Sequence, residues 1–231
     1  MNLLKKPLTA LCAVAVVITL LLTVVANVVF GDINYYQREF EKYNVTENID
    51  MSMEDIMSVM KELMDYLHDD RENLEGIETT VNGKHVMFFT DREKTQMADC
   101  KVLFDGGFAI RNVSFGIFAV LLVILIITKS FDYRFFLKSC GVFSVCILAL
   151  CVFIAIAASI NFDACFEIFH KIFFNNDLWI FDPAEDLIIN VLVEELFMDI
   201  ALKIGIWCMA ILAAFTACGA YLFIKDKKRV A

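Results

Sequence analysis

The sequence predicts an all-α membrane protein: four transmembrane helices, a small α-rich extracytoplasmic domain with one β-hairpin, and an interfacial helical segment before the last span. Three observations lead there. Apolar residues make up 59% of the 231 and mean hydropathy is +0.66, far above soluble domains. Leu8–Phe30, about 108–128, Val142–Ile160 and Ile204–Ile224 each approach the ~20 apolar residues that cross a hydrocarbon core. Charge is also sorted across these runs. With the N-terminus inside, the start (Lys5, Lys6), the loop 129–138 and the tail 225–229 are cytoplasmic. They hold nine of the 20 Lys+Arg but only Asp132 and Asp226 of the 29 Asp+Glu, so +7 lies inside against −16 outside. That is the positive-inside pattern at every inner segment, and it places both termini in the cytoplasm.

This divides the chain into 1–30 (cytoplasmic start and first span), 31–107 (extracytoplasmic domain), 108–160 (second and third spans with a short cytoplasmic loop), 161–203 (extracytoplasmic, interfacial) and 204–231 (fourth span and basic tail). The first apolar run exceeds the usual core of a secretory signal and no small-residue site closes it, so an uncleaved anchor is expected. After it, Tyr35 and Tyr36 suit a membrane interface. Ser52-Met-Glu-Asp55 is a capping box, and Ile56, Met60, Leu63 and Leu67 recur at helical spacing to about His68. Five methionines between 51 and 64 make that apolar side adaptable. Asn82-Gly83 between two β-prone runs predicts a hairpin over 78–89. Thr90-Asp-Arg-Glu93 is a second capping box, opening a helix that Gly106-Gly107 is expected to stop. On it Gln96, Asp99, Cys100 and Leu103 share a face. Within 161–203, Cys165–Phe174 and Asp186–Phe197 read as two short interfacial helices joined by the Trp179–Pro183 corner.

Composition excludes several classes. A pI near 4.8 is wrong for nucleic acid, which wants a basic footprint. No Cys-x-x-Cys or His/Cys ligand spacing points to a metal. Six of the eight cysteines lie in or beside apolar runs and read as small hydrophobes; a bridge between the other two, Cys100 and Cys165, is geometrically possible but no spacing supports it, so they read as free thiols. The spans carry almost no internal charge, so no ion pathway is suggested. Asn44-Val-Thr46 and Asn112-Val-Ser114 match a glycosylation pattern that is common by chance.

Among the three histidines, His68 ends a helix in a charged run and His85 follows the hairpin turn. His170 is different: it is titratable, sits in an aromatic segment beside the membrane, and has Glu167 one turn earlier. Ionisable groups at membrane depth are costly and suspect as functional. Asp182, before Pro183, reads equally as a turn former, and Asp99 as a solvated helix residue.

The chain resembles the family of small bacterial integral membrane proteins that includes the lipoprotein intramolecular transacylase. The likeness runs nearly the full length. It rests most specifically on Phe169-His170-x-Ile172-Phe173-Phe174 and Leu178-Trp179-x-Phe181-Asp182-Pro183, with Asp186-Leu-Ile188, Tyr35–Tyr43, Met53–Leu67 and Glu93–Phe104 in support. The resemblance implies O-to-N acyl transfer within a bacterial lipoprotein, from its diacylglyceryl group to its N-terminal cysteine amine. No cofactor is needed, and membrane lipids surround the site. His170 would act as acid/base, Gln96 as a hydrogen-bonding stabiliser, and Asp182 or Asp99 as an orienting group. One departure stands out. Members of the family commonly carry histidine where this chain has Gln96, which cannot take up a proton near neutral pH; His85 is then the nearest histidine in sequence. Val193 likewise stands where relatives tend to have proline. The alternative is a non-catalytic scaffold or lipid/lipoprotein-binding protein on the same fold.

Overall fold

The computed structural model describes residues 2–230. Four helices are long and apolar enough to cross a membrane: α1 (Asn2–Phe30), α5 (Asp91–Ile127), α6 (Tyr133–Ile160) and α9 (Glu194–Val230). The protein is a multi-pass, mostly helical membrane protein with one small hairpin. The chain forms two compact units. One comprises the residues up to Ala26, Gly107–Asn161 and the residues from Lys203 onward. The other joins Asn27–Gly106 to Phe162–Leu202, so the two polar excursions of the sequence fold together.

In the first unit, α6 and α9 cross at paired glycines. A Cβ built on Gly141 would meet Phe215 O at 2.9 Å and Gly219 Cα at 3.0 Å. Those are backbone atoms, so the helices themselves would have to separate. Small residues allow such close approach in membranes, where association depends on packing. Gly141→Val is expected to destabilise this unit by about 1–3 kcal/mol, read as a lower thermal midpoint in detergent. Beside the crossing, Ala13, Val17, Cys140 and Leu212 are fully buried. Toward one end, Asp226 is ion-paired with Arg134 at 2.9 Å and with Lys138.

In the second unit, α2 (Ile33–Lys42), α3 (Val45–Ile49), α4 (Met53–Leu67), the hairpin β1 (Glu78–Val81) and β2 (Lys84–Met87), α7 (Phe162–Phe173) and α8 (Ile188–Val191) join the N-terminal ends of α5 and α9. Ser52 caps α4 by accepting from Asp55 N at 3.1 Å. Ile56, Met60, Leu63 and Leu67 all enter the core, as their spacing requires. The hairpin pairs Val81 with Lys84 around Asn82-Gly83, both at positive φ. Tyr35 and Tyr36 are core residues here, not members of an interfacial belt: both are buried, and Tyr36 donates to Val29 O at 2.8 Å. A phenol with a backbone acceptor inside a small core gains more than one left at a surface.

Two boundaries differ from expectation. Gly106-Gly107 does not end a helix, because α5 runs unbroken from Asp91 to Ile127 and neither glycine takes a positive φ. Two helical glycines cost about 1 kcal/mol each. A break beside an apolar span would leave backbone groups without partners in lipid, which costs more. The second interfacial helix expected over 186–197 is also not a separate element. It divides into the single turn α8 and the start of α9, which continues through Lys203.

Candidate functional site

The site is built on the first turns of α5. Thr90 and Glu93 form a reciprocal capping box: Thr90 Oγ1 accepts from Glu93 N at 3.2 Å, and Glu93 Oε2 accepts from Thr90 N at 2.7 Å. The second oxygen of this fully buried carboxylate accepts from Ile188 N at 2.8 Å. One glutamate thus caps α5 and also holds the first residue of α8. Next to it, Arg92 donates to Ile180 O, faces Asp186 at 3.6 Å and lies over the Phe181 ring at 5.8 Å. Asp186 is buried and accepts from Asp182 N at 2.9 Å. Two turns along α5, Asp99 accepts from Asn176 Nδ2 at 2.8 Å. Glu93, Arg92 and Asp99 thus pin the segment 176–188 to one helix.

That segment carries the wall against which His170 packs. The imidazole stacks on Trp179 with ring centroids 4.7 Å apart and planes at 28°, and it lies 4.1 Å from Phe166. Phe169 and Phe174 complete the surround, each at 5.5 Å. His170 Nδ1 lies 2.7 Å from Phe166 O. A carbonyl only accepts, so Nδ1 carries the hydrogen and Nε2 presents its lone pair. Burial among the rings pushes the imidazole pKa below its usual 6.5, and the bond to Phe166 O offsets part of that. The neutral, basic form therefore prevails at neutral pH. Any activity that uses this base should be constant above neutrality and fall as pH drops through a midpoint below 6.5, read from initial rates across pH. A midpoint above neutrality would show that another group titrates.

Asp182 is exposed, and its Oδ1 accepts from Ala184 N at 2.9 Å while its carbonyl accepts from Glu185 N and Asp186 N. It builds the turn. Asp99 reaches the histidine segment through Asn176, and the bond on the imidazole comes from Phe166. Gln96 is buried at 2% exposure, with Nε2 on Cys100 Sγ at 3.7 Å and Oε1 lacking a protein partner. His85 is exposed on β2 opposite Thr80. His68 is the C-cap of α4, 2.9 Å from Asp70. All eight cysteines are free thiols, and no cluster of metal-ligating side chains occurs among the described residues.

Sequence reasoning recognised Glu93 only as a helix cap, named Asp186 only within the Asp186-Leu-Ile188 run and gave it no role, and did not single out Asn176. A carboxylate heading the apolar run Leu187-Ile188-Ile189 was the available signal for Asp186, since such a group stays buried only when hydrogen-bonded.

The family model described as "Lipoprotein intramolecular transacylase Lit" matches residues 10–197. The solved structure of the membrane-integral lipoprotein intramolecular transacylase Lit from Bacillus cereus superposes with a TM-score of 0.78 at 21% identity, covering 100% of both chains. Two structures of that protein with one histidine replaced, by arginine or by alanine, give TM-scores of 0.72 at 21% and 22% identity. They cover 100% of this chain and 96% and 97% of theirs. No curated protein matches the chain. Structural likeness at such identity establishes the fold, while the family match spans most of the sequence: the chain belongs to the lipoprotein intramolecular transacylase family.

Proposed function

We propose that this protein moves one acyl chain within a lipoprotein, from a glyceryl ester oxygen of its S-diacylglyceryl cysteine to the α-amino group of the same cysteine. The observation that carries the reading is His170: a half-buried neutral imidazole with Nδ1 fixed and Nε2 available, in an aromatic segment of a family member. Nε2 takes a proton from the ammonium. The amine nitrogen then attacks the ester carbonyl carbon, forming the C–N bond. As the tetrahedral intermediate collapses, the C–O bond breaks and the glyceryl oxygen takes the second proton that the attacking nitrogen sheds, while the proton on Nε2 passes to water, leaving an amide, a free hydroxyl and the neutral imidazole. Donor and acceptor share one molecule, so much of the entropy of bringing them together is already met. In the reaction Gln96 exchanges its contact with Cys100 for the substrate and acts as a hydrogen-bonding stabiliser. Asp99 positions the histidine segment through Asn176. The unit holding Asn27–Gly106 and Phe162–Leu202 faces away from the cytosol in this reading, which the sorting of charge supports.

Expression in a bacterium that makes only diacylated lipoproteins tests the proposal. Mass spectrometry should find N-acylated cysteine with one ester lost, and a uniformly free amine would refute transfer. One observation favours a second reading, lipoprotein binding without chemistry: Gln96 stands where the resemblance leads one to expect a histidine, and it is buried against Cys100. Gln96→His separates the two. A gain in transfer marks a weakened enzyme, and unchanged inactivity marks a binding protein.

A further inference from the structure

Phe166 and Trp179, the rings nearest the His170 imidazole, also line a groove of about 350 Å³. That size falls within the range of sites that take small organic ligands, about 300–1,000 Å³. Ile189 of α8, Leu192 just after it and Phe197 of α9 add to the apolar lining. The Phe166 and Phe197 rings meet edge-on with centroids 5.7 Å apart. The lining is sorted by depth. These five side chains are half-buried, whereas Ile180 and the carboxylates Asp163, Glu167 and Glu194 are exposed. Each carboxylate has a local reason for its place. Asp163 and Glu194 stand in the first turns of α7 and α9, where a helix dipole favours negative charge, and Glu167 pairs with Lys171. What remains is an open floor of three rings and two branched chains beneath a polar rim, the form that an apolar ligand requires.

We infer that this groove seats the hydrocarbon of the acyl chain that migrates, setting it apart from the surrounding lipid. The identity of the chain rests on the function proposed above; the apolar groove and its continuity with the histidine carry the rest. Phe166 and Trp179 belong to both, so a chain lying against those two rings brings its ester beside the imidazole. The outer side of α7 has a different part. Ile168, Phe169, Ile172 and Phe173 are all exposed there, as on a helix lying at the lipid surface. A diacylglyceryl group carries two chains: one enters the groove, and the other stays in the leaflet against that exposed face. Lipid tails are as apolar as the groove, so moving a chain from one to the other adds little affinity. The gain is in placement. A reacting group misplaced by about 1 Å can cost roughly 10²-fold in rate, and the groove holds the ester where the base can serve it.

The full wild-type chain in phosphatidylglycerol nanodiscs provides the test, with an S-dipalmitoylglyceryl-cysteinyl peptide that carries a photoreactive diazirine near the end of its acyl chains. After illumination, mass spectrometry should find adducts on Ile189, Leu192 or Phe197. Adducts confined to the membrane spans and to the exposed face of α7 would overturn the inference without recourse to any variant. Phosphatidylglycerol bearing the same diazirine should label those three residues far less. Equal labelling by the phospholipid would overturn the assigned occupant. Ile189→Trp, which fills the groove, should lower transfer of a palmitoyl chain about tenfold or more, through kcat rather than KM, and should slow transfer of an octanoyl chain much less. An equal loss for both chain lengths would count against the groove. Labelling of the groove without detectable acyl transfer would uphold the chain site and defeat the reaction, whereas transfer without labelling of the groove would do the reverse.

Discussion

Replacing His170 by alanine is expected to lower acyl transfer at least 10²-fold, within the range for loss of a general base. His170→Gln should be nearly as inactive, since an amide can hydrogen-bond but cannot accept the ammonium proton. The pair isolates proton transfer from packing. Alanine also removes the ring that stacks on Trp179 at 4.7 Å and lies 4.1 Å from Phe166, whereas glutamine keeps more of that volume. Lipopeptide binding should therefore persist in His170→Gln while N-acylation, followed by mass spectrometry, disappears. Transfer that continues in both variants would place the base elsewhere and leave His170 as an aromatic-cluster residue.

The second large effect is expected at Glu93, which touches no substrate in this account. Its carboxylate is fully buried and accepts from Thr90 N and Ile188 N. Glu93→Ala leaves both donors without that partner, and buried donors that lose a charged acceptor cost about 1–3 kcal/mol each. A loss of about 3 kcal/mol is expected, read as a lower unfolding midpoint in detergent. Glu93→Gln keeps one acceptor oxygen and should lose roughly half as much. Because Glu93 holds Ile188, and the segment before it carries Trp179, Glu93→Ala should also reduce transfer while altering the Trp179 emission. A merely structural helix cap would weaken stability with no change at Trp179. Glu93 is thus a positioning residue in this account.

Much of the architecture was legible because it depends on neighbours in sequence. The four spans follow from apolar run length, and α4 from its capping box and from Ile56, Met60, Leu63 and Leu67 on one face. The hairpin follows from Asn82-Gly83, whose two residues tolerate the positive φ that they adopt. His170 was legible as a candidate because a titratable ring among phenylalanines is costly unless used. Gly106-Gly107 misled for a physical reason. Local propensity favours a stop there, but the approach of lipid makes an uninterrupted helix the cheaper way to satisfy the backbone.

By itself, then, the sequence determined the number of spans, the sorting of charge across them, the elements of the polar regions and the histidine at the centre of the proposed chemistry. Only the tertiary structure decided how Glu93 reaches Ile188, 95 residues away, and how Asp99 reaches Asn176, 77 away. It alone buried Gln96 against Cys100 and showed Asp182 building a turn. Hydropathy and helical period act over a few residues and are written locally. A buried polar group must find its partner wherever the folded chain brings one, and that partner is fixed only once both polar excursions have packed together.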